Sequence, residues 1–437
     1  MEKRCYLSRK LLGLFLSVLL LTTAMMFSSC GMGLERGLTQ KVDDQGVTYL
    51  PSQSKNTYVL DWADTDDLKT NDVIINEFDG KPVTMISSTV SLGKFLFDDY
   101  KISLPNTIRR IACDSAYYKV ERYIEKNGLA DIHKDLGKYA IYDDGSVYMG
   151  NELNPYLILV YTNNVNYSTP EGTRLIANRA FSPYTESIHI SSEVYFIDNQ
   201  AFRNIQYSNT VIDPITGKEE IVNCSTKISV DDHNEYYSSD GSSLFNKDKT
   251  RVIHFGLETV ILPDSVEYFE PYAIDEEKHD LYLARMKKAG FCSFENPVLY
   301  VPTASNPNFL LFQGQEDVMI DSNTRIIASF AMSETTNVTI PDSVVQIMPQ
   351  AFDMDNLSIC NVDTTGWYSS IHYADGYAYE YGIFYYVYKD PFDSMTYAKM
   401  GKPDKIAEKW GDSTEAADRI TSPYAQWGYD WRRPIDD

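Results

Sequence analysis

Val338-Thr-Ile-Pro-Asp-Ser-Val-Val-Gln-Ile-Met-Pro-Gln-Ala-Phe352 decides how this chain is read, because the chain writes it again. Val260-Ile-Leu-Pro-Asp-Ser-Val-Glu-Tyr-Phe-Glu-Pro-Tyr-Ala273 is a second copy. Ile102-Ser-Leu-Pro-Asn-Thr-Ile-Arg-Arg-Ile-Ala-Cys-Asp-Ser-Ala116 is a third. In a fourth, Ile188-His-Ile-Ser-Ser-Glu-Val-Tyr-Phe-Ile-Asp-Asn-Gln-Ala-Phe202, serine replaces the proline. Self-similarity of this kind marks a repeat architecture.

Each copy opens with an apolar–x–apolar triplet, such as Val260–Ile261–Leu262. In a strand its outer side chains point one way and its middle one the other. Proline then removes an amide donor and ends the ladder. Asp-Ser or Asn-Thr follows, and their side chains are expected to turn the backbone by bonding to it. Two apolar residues three apart come next, Val344 and Ile347 or Val266 and Phe269, and then Ala-Phe or Ala alone. One unit has too little apolar area to fold by itself, so neighbours must stack to bury these rows.

Looser versions of the triplet stand at Ile228-Ser-Val230, Leu299-Tyr-Val-Pro302 and Cys360-Asn-Val362, and Val73-Ile-Ile75 reads as an opening unit. The strand starts at 338 and 360 are spaced as in leucine-rich repeats, whose period is about 20–29 residues. Wider steps imply insertions. Asp240-Gly241, between Tyr236–Ser239 and Ser242–Phe245, is a hairpin signal, and Ala140-Ile-Tyr-Asp-Asp-Gly-Ser-Val-Tyr148 repeats it.

These units resemble those of the BspA-like leucine-rich-repeat family, roughly I-x-I-P-x-S-V-x-x-I-x-x-x-A-F. The inserts Tyr148–Val160 and Asn234–Thr250 also look like segments found there. The resemblance spans about residues 70–365. It departs at Ser115-Ala116-Tyr117 and Tyr272-Ala273-Ile274, which lack the phenylalanine, and at Ser191. It implies a repeat solenoid of short β-strands with turns, short helices and β-hairpin insertions, and a bacterial surface lipoprotein with a role in adhesion.

Lys3, Arg4, Arg9 and Lys10 precede a charge-free apolar run from Leu11 to Phe27, the pattern of a signal peptide over residues 1–29. Phe27-Ser-Ser-Cys30 resembles a lipoprotein box, which makes Cys30 the expected lipid attachment site. An ordinary secretory signal is the alternative. The chain is then exported and lipid-anchored at the cell surface, on an outer membrane if there is one. Its membrane attachment is through that lipid only. Residues 30–45 read as a tether, 46–365 as the solenoid and 366–437 as a cap rich in tyrosine and tryptophan.

The formal net charge of −23 disfavours nucleic acid and anionic membranes, and no basic patch interrupts it. Cys113, Cys224, Cys292 and Cys360 are far apart with no C-x-x-C among them; Cys360 at an apolar strand position and Cys113 beside the second anchor read as small buried hydrophobes, with two long-range disulfides as the alternative. Val120, Tyr123 and Ile124 at helical spacing before Gly128 predict a helix ended by that glycine. Near the C-terminus Tyr373, Tyr377, Tyr379, Tyr381, Ile383, Tyr385 and Val387 alternate, as on one face of a strand.

No G-x-S-x-G, H-E-x-x-H, Walker loop or G-x-G-x-x-G occurs, so no enzyme chemistry and no cofactor is expected. Asp231-Asp232-His233-Asn234 offers oxygen and imidazole ligands but sits between a strand and a hairpin, and reads as a solvated turn. Asp353-Met-Asp-Asn356 lacks the glycine and glutamate of a calcium loop. No metal site is expected.

Binding is therefore the expected role, by a monomer. The middle residues of the triplets cannot face the core and should line one sheet: Ser103, His189, Ser229, Ile261, Tyr300, Thr339 and Asn361. An extracellular or cell-surface protein ligand is the expected partner, with His189 and Tyr300 as the best anchors. A second reading makes Tyr377, Tyr379 and Tyr381 a glycan platform in a surface nutrient-capture system. Capping of the last repeat is the simpler account of those tyrosines.

Overall fold

The computed structural model describes residues 41–51, 56–62, 68–87, 90–97, 101–111, 115–128, 131–205, 208–212, 219–223, 226–270, 272–274, 279–288, 290, 298–314, 319–332, 337–348, 351–352, 359–361, 368–370 and 430–432. They are mostly strands, in several sheets.

The quoted unit folds as a stacked turn of chain. Its first strand is the triplet, as in Ser187–Ile190, which pairs in parallel with Asn166–Ser168 on one side and Lys227–Val230 on the other. A tight corner follows. It is closed by the backbone, with the Val344 N–H donating to the Pro341 carbonyl at 3.1 Å and Val266, Ile108 and Val194 doing the same. The polar pair was expected to make this bond. Its side chains instead reach neighbouring chain, as where Asp264 Oδ1 accepts from the N–H and hydroxyl of Ser305 at 2.8 and 2.7 Å.

A second strand of only two residues comes next. Leu175–Ile176 and Phe196–Ile197 pair in parallel, as do Ile326–Ile327 and Gln346–Ile347. A last corner puts Ala and Phe into the core, and there too neighbouring turns bond. Phe181 bridges Thr162, Met332 bridges Phe352, and the Phe255 N–H donates to the Ala273 carbonyl. The residue before the alanine has left-handed φ at Arg179 (54°), Tyr272 (62°) and Phe330 (62°).

Two turns escape the sequence reading. Asn166–Phe181 and Met319–Met332 each have a first strand or bridge, a corner, a two-residue second strand and a buried Ala pair. Phe181 to Phe202 and Met332 to Phe352 are each about 20 residues apart, inside the leucine-rich-repeat range. The wide steps between the recognised copies thus hold whole turns as well as insertions.

The insertions are antiparallel meanders that recur. Ala140–Asp143, Ser146–Met149 and Ile158–Thr162 form one, and Tyr237–Ser239, Leu244–Asn246 and Arg251–His254 another. Asp144 (φ 40°) and Gly145 (φ 74°) make the tight turn of the first, where left-handed backbone suits the strand twist. The last strand of each meander leads in parallel into the second-strand ladder. Leu299–Val301 belongs to this class, because it pairs antiparallel with Leu310–Gln313. It is not the opening triplet of a turn.

Successive ladders are joined by side chains rather than by strands. The Tyr195 hydroxyl donates to the Ile108 carbonyl. Tyr237 accepts from the Ile197 N–H at 2.9 Å. Gln346 makes two bonds to the Phe269 backbone. Gln45 does the same to Ile74, at 3.0 and 3.1 Å, on the first-strand ladder. Gln45 and the strand Lys41–Val42 lie in the stretch read as a tether, so the folded chain starts by residue 41.

The core runs along the stack in three adjoining clusters. Ile340, Val344, Ile347 and Phe352 are buried, as are Leu262, Val266, Phe269 and Ala273, the two rows expected from the repeat. The predicted helix is Tyr117–Asn127, ended by Gly128 at φ 82°. A further helix, His279–Lys288, buries Tyr282, Leu283 and Met286 against the last cluster. At the C-terminal side Asp430–Arg432 lies antiparallel to Gln346–Ile347 and to Tyr368–Ser370. Residues 371–429, with the alternating tyrosines, lie outside the described residues.

Candidate ligand-binding face

The alternation of the first strand sets the geometry of the candidate face. Ile188 and Ile190 are buried while His189 between them is exposed, and Ile228 and Ser229 divide in the same way. Parallel register then places Ser168, His189 and Ser229 side by side across three strands. His189 Nδ1 and Ser229 Oγ are 3.0 Å apart, and that hydroxyl also donates to the Ile188 carbonyl at 3.3 Å. The row is thus fixed by its own hydrogen bonds.

In a separate first-strand ladder outward residues align in the same way. Met319 pairs with Thr339, and Thr339 with Asn361. Met319 in that ladder is 89 % exposed, and Ile261, just before the bridge of Leu262 to Thr303, is 54 % exposed. The side chain of Asn361 is outside the described set.

Two predicted members do not belong. Ser103 is 7 % exposed, so it is buried rather than presented. Tyr300 sits in the antiparallel meander strand, half-buried against the core, and its hydroxyl accepts from the Asp321 N–H at 3.2 Å. It ties two segments together. Ser168 and Met319 replace them, and both were missed with the turns that carry them. Thr169-Pro170 before Ala180-Phe181, and Ile326-Ile327 before Ala331, were the signals available.

The corner beyond the face is acidic. Asp231 Oδ1 accepts from the His233 N–H at 2.8 Å and lies 3.1 Å from its ring nitrogen. The backbone bond, then the ring, holds that carboxyl below its usual range. Asn234 is spent inside the fold, donating to the carbonyls of Ser191 and Val194 and accepting from the N–H groups of Tyr236 and Tyr237. The tetrad is therefore a corner built around Asn234. Asn154 and Asn306 do similar work, donating to the Gly172 and Asn323 carbonyls of the corners beside them.

Among the described residues no group of three His, Cys, Asp or Glu side chains is arranged to hold a metal ion. No helix among them is long and apolar enough to cross a membrane. Cys30, Cys113, Cys224, Cys292, Tyr377, Tyr379 and Tyr381 lie outside the described residues, as does Asp353–Asn356.

No family model and no curated protein matches the chain. Solved structures similar to it include these two. One is a leucine-rich repeat protein from Eubacterium ventriosum, with 11 % identity over 75 % of this chain and 86 % of that one, at a TM-score of 0.22. The other is the pneumococcal vaccine antigen PcpA, with 13 % identity over 74 % and 78 %, at 0.21. At such TM-scores the likeness carries no weight for this chain. What does is its own repeat and ladders.

Proposed function

We propose that this chain is a leucine-rich-repeat solenoid that binds a protein ligand at a cell surface through the exposed row of its first strands. The observation behind this reading is the register of Ser168, His189 and Ser229, repeated in a separate ladder at Met319, Thr339 and Asn361. Stacked parallel strands place one outward side chain per turn at a fixed spacing of about 4.8 Å, a rigid template for an extended partner surface. Ile261 and Met319 supply apolar area and His189 an amphipathic anchor.

The remaining parts fit an exported binder without catalysis. Cys30 is the lipid attachment site, 1–29 the signal peptide, and the segment to about residue 40 the tether. The strands Asp430–Arg432 and then Tyr368–Ser370 extend the second-strand ladder, and 366–437 cap the stack. Adhesion to matrix proteins or other cells is the role that suits this arrangement.

The test is binding of the full chain to immobilised matrix proteins beside a His189→Ala/Ile261→Ala form. Binding by the unaltered chain and at least a tenfold loss in the variant is expected. Equal binding by both, or none by either, would remove this face as the ligand site.

A further inference from the structure

Away from the strand face, the N-terminal turn of the inserted helix Tyr117–Asn127 meets the corner Arg179–Tyr184. Tyr118 and Tyr184 are among the most exposed large side chains in the described chain, at 59 % and 70 %. Exposed rings normally lie free, but Tyr118 is held. Arg179 donates to its hydroxyl, and the guanidinium sits 5.1 Å from the ring centroid. Tyr117 packs edge-on against it, with centroids 5.4 Å apart.

Polar groups converge on the same place. The Tyr161 hydroxyl donates to Glu121 Oε1 at 3.1 Å, and its ring tilts against Tyr117 at 5.7 Å. Tyr117 also bonds to Glu121, and its hydroxyl lies within electrostatic range of those of Tyr118 and Tyr184. Burial, with Glu121 beside them, pushes both Tyr117 and Tyr161 upward, so these phenols stay protonated donors at neutral pH. Two exposed tyrosines, one carboxylate and one guanidinium thus gather over the buried rings of Tyr117 and Tyr161.

We propose that this patch is a carbohydrate-binding site in which Tyr118 and Tyr184 stack on pyranose rings. Sugar rings present apolar C–H faces to aromatic rings and hydroxyls at their edges. The edges meet Arg179 and Glu121, which donate to and accept from hydroxyls. A neutral polysaccharide suits a chain of net charge −23 better than an anionic ligand would. The site is separate from the strand face and does not depend on that reading.

Affinity electrophoresis of the full chain through gels holding hydroxyethylcellulose, xylan, laminarin or amylopectin tests this. At least one polysaccharide should retard the chain. Tyr118→Ala/Tyr184→Ala should bind about tenfold more weakly, the effect of losing two ring contacts. Tyr118→Phe/Tyr184→Phe keeps the rings and should retain most of the retardation. His189→Ala/Ile261→Ala should behave as the unaltered chain. All of these side chains are exposed, so circular dichroism should match throughout. No retardation in any gel, or equal retardation of the alanine form, would overturn the proposal. Capture of a proline-rich peptide in place of every polysaccharide would also overturn it.

Discussion

Gln346 Oε1 accepts the Phe269 N–H at 2.8 Å, and its Nε2 donates to the Phe269 carbonyl at 2.7 Å. One amide side chain thus does for Phe269 what a neighbouring strand would do. Both residues are fully buried, so neither backbone group has water to fall back on. Gln346→Leu fills the space and removes both bonds. We expect a loss of about 2–4 kcal/mol, the cost of two buried unpaired backbone groups. Denaturant unfolding measures it, and an unchanged midpoint would mean that this join carries no stability.

Thr173 and Thr324 occupy the corner position where Val194, Val266 and Val344 stand in other turns, and both are fully buried. Their Oγ1 atoms have no hydrogen-bond partner. Valine has the same shape without the hydroxyl, so Thr173→Val and Thr324→Val should each stabilise the fold by about 1 kcal/mol. A melting temperature that falls in both variants would show that the hydroxyls are satisfied.

Asp198 is buried at the end of a second strand, and burial raises its carboxyl from 3.8 to about 6. The Gln200 N–H, which donates to its Oδ1 at 2.9 Å, and then Arg110 oppose the shift without cancelling it. The folded state therefore holds a proton that the unfolded state releases between about pH 4 and 6. Stability falls as pH rises through that window. Asp198→Asn keeps the acceptor and abolishes the charge. It should match the unaltered chain near pH 4 and exceed it at pH 7, by up to about 3 kcal/mol. Stability curves that run parallel from pH 4 to 7 would contradict this.

If Cys30 carries the lipid, the chain should label with palmitate and partition into detergent, and Cys30→Ser should abolish both. Unlabelled chain found only in the medium would remove the anchor from the account.

The repeat was legible where its anchors match those of the quoted unit. Ile188, Val194 and Ile197 announce a turn, whereas Tyr167 and Thr173 fill the same positions one turn earlier and hide it. Met332 hides another by standing where Phe352 stands in the next. Alternation alone placed His189 and Ser229 on an exposed face. It failed at Tyr300 because apolar–x–apolar–Pro fits a meander strand as well as a stacked one. The joins made by Tyr195, Tyr237 and Gln346 left no trace in the pattern. They are polar groups at positions that the repeat does not constrain, and only the three-dimensional stack brings them to a strand edge.

The stack itself is tested most directly by hydrogen exchange on Phe352→Ala. Phe352 is buried in the last cluster and bridges Met332 in the turn before it. Its truncation should cost roughly 3–5 kcal/mol. Neighbours in a stack share interfaces, so protection should fall first over residues 319–361 and at Asp430–Arg432, while amides before about residue 200 keep theirs. A uniform loss from Lys41 to Arg432 would mean one cooperative globule, and would contradict a chain built from stacked turns.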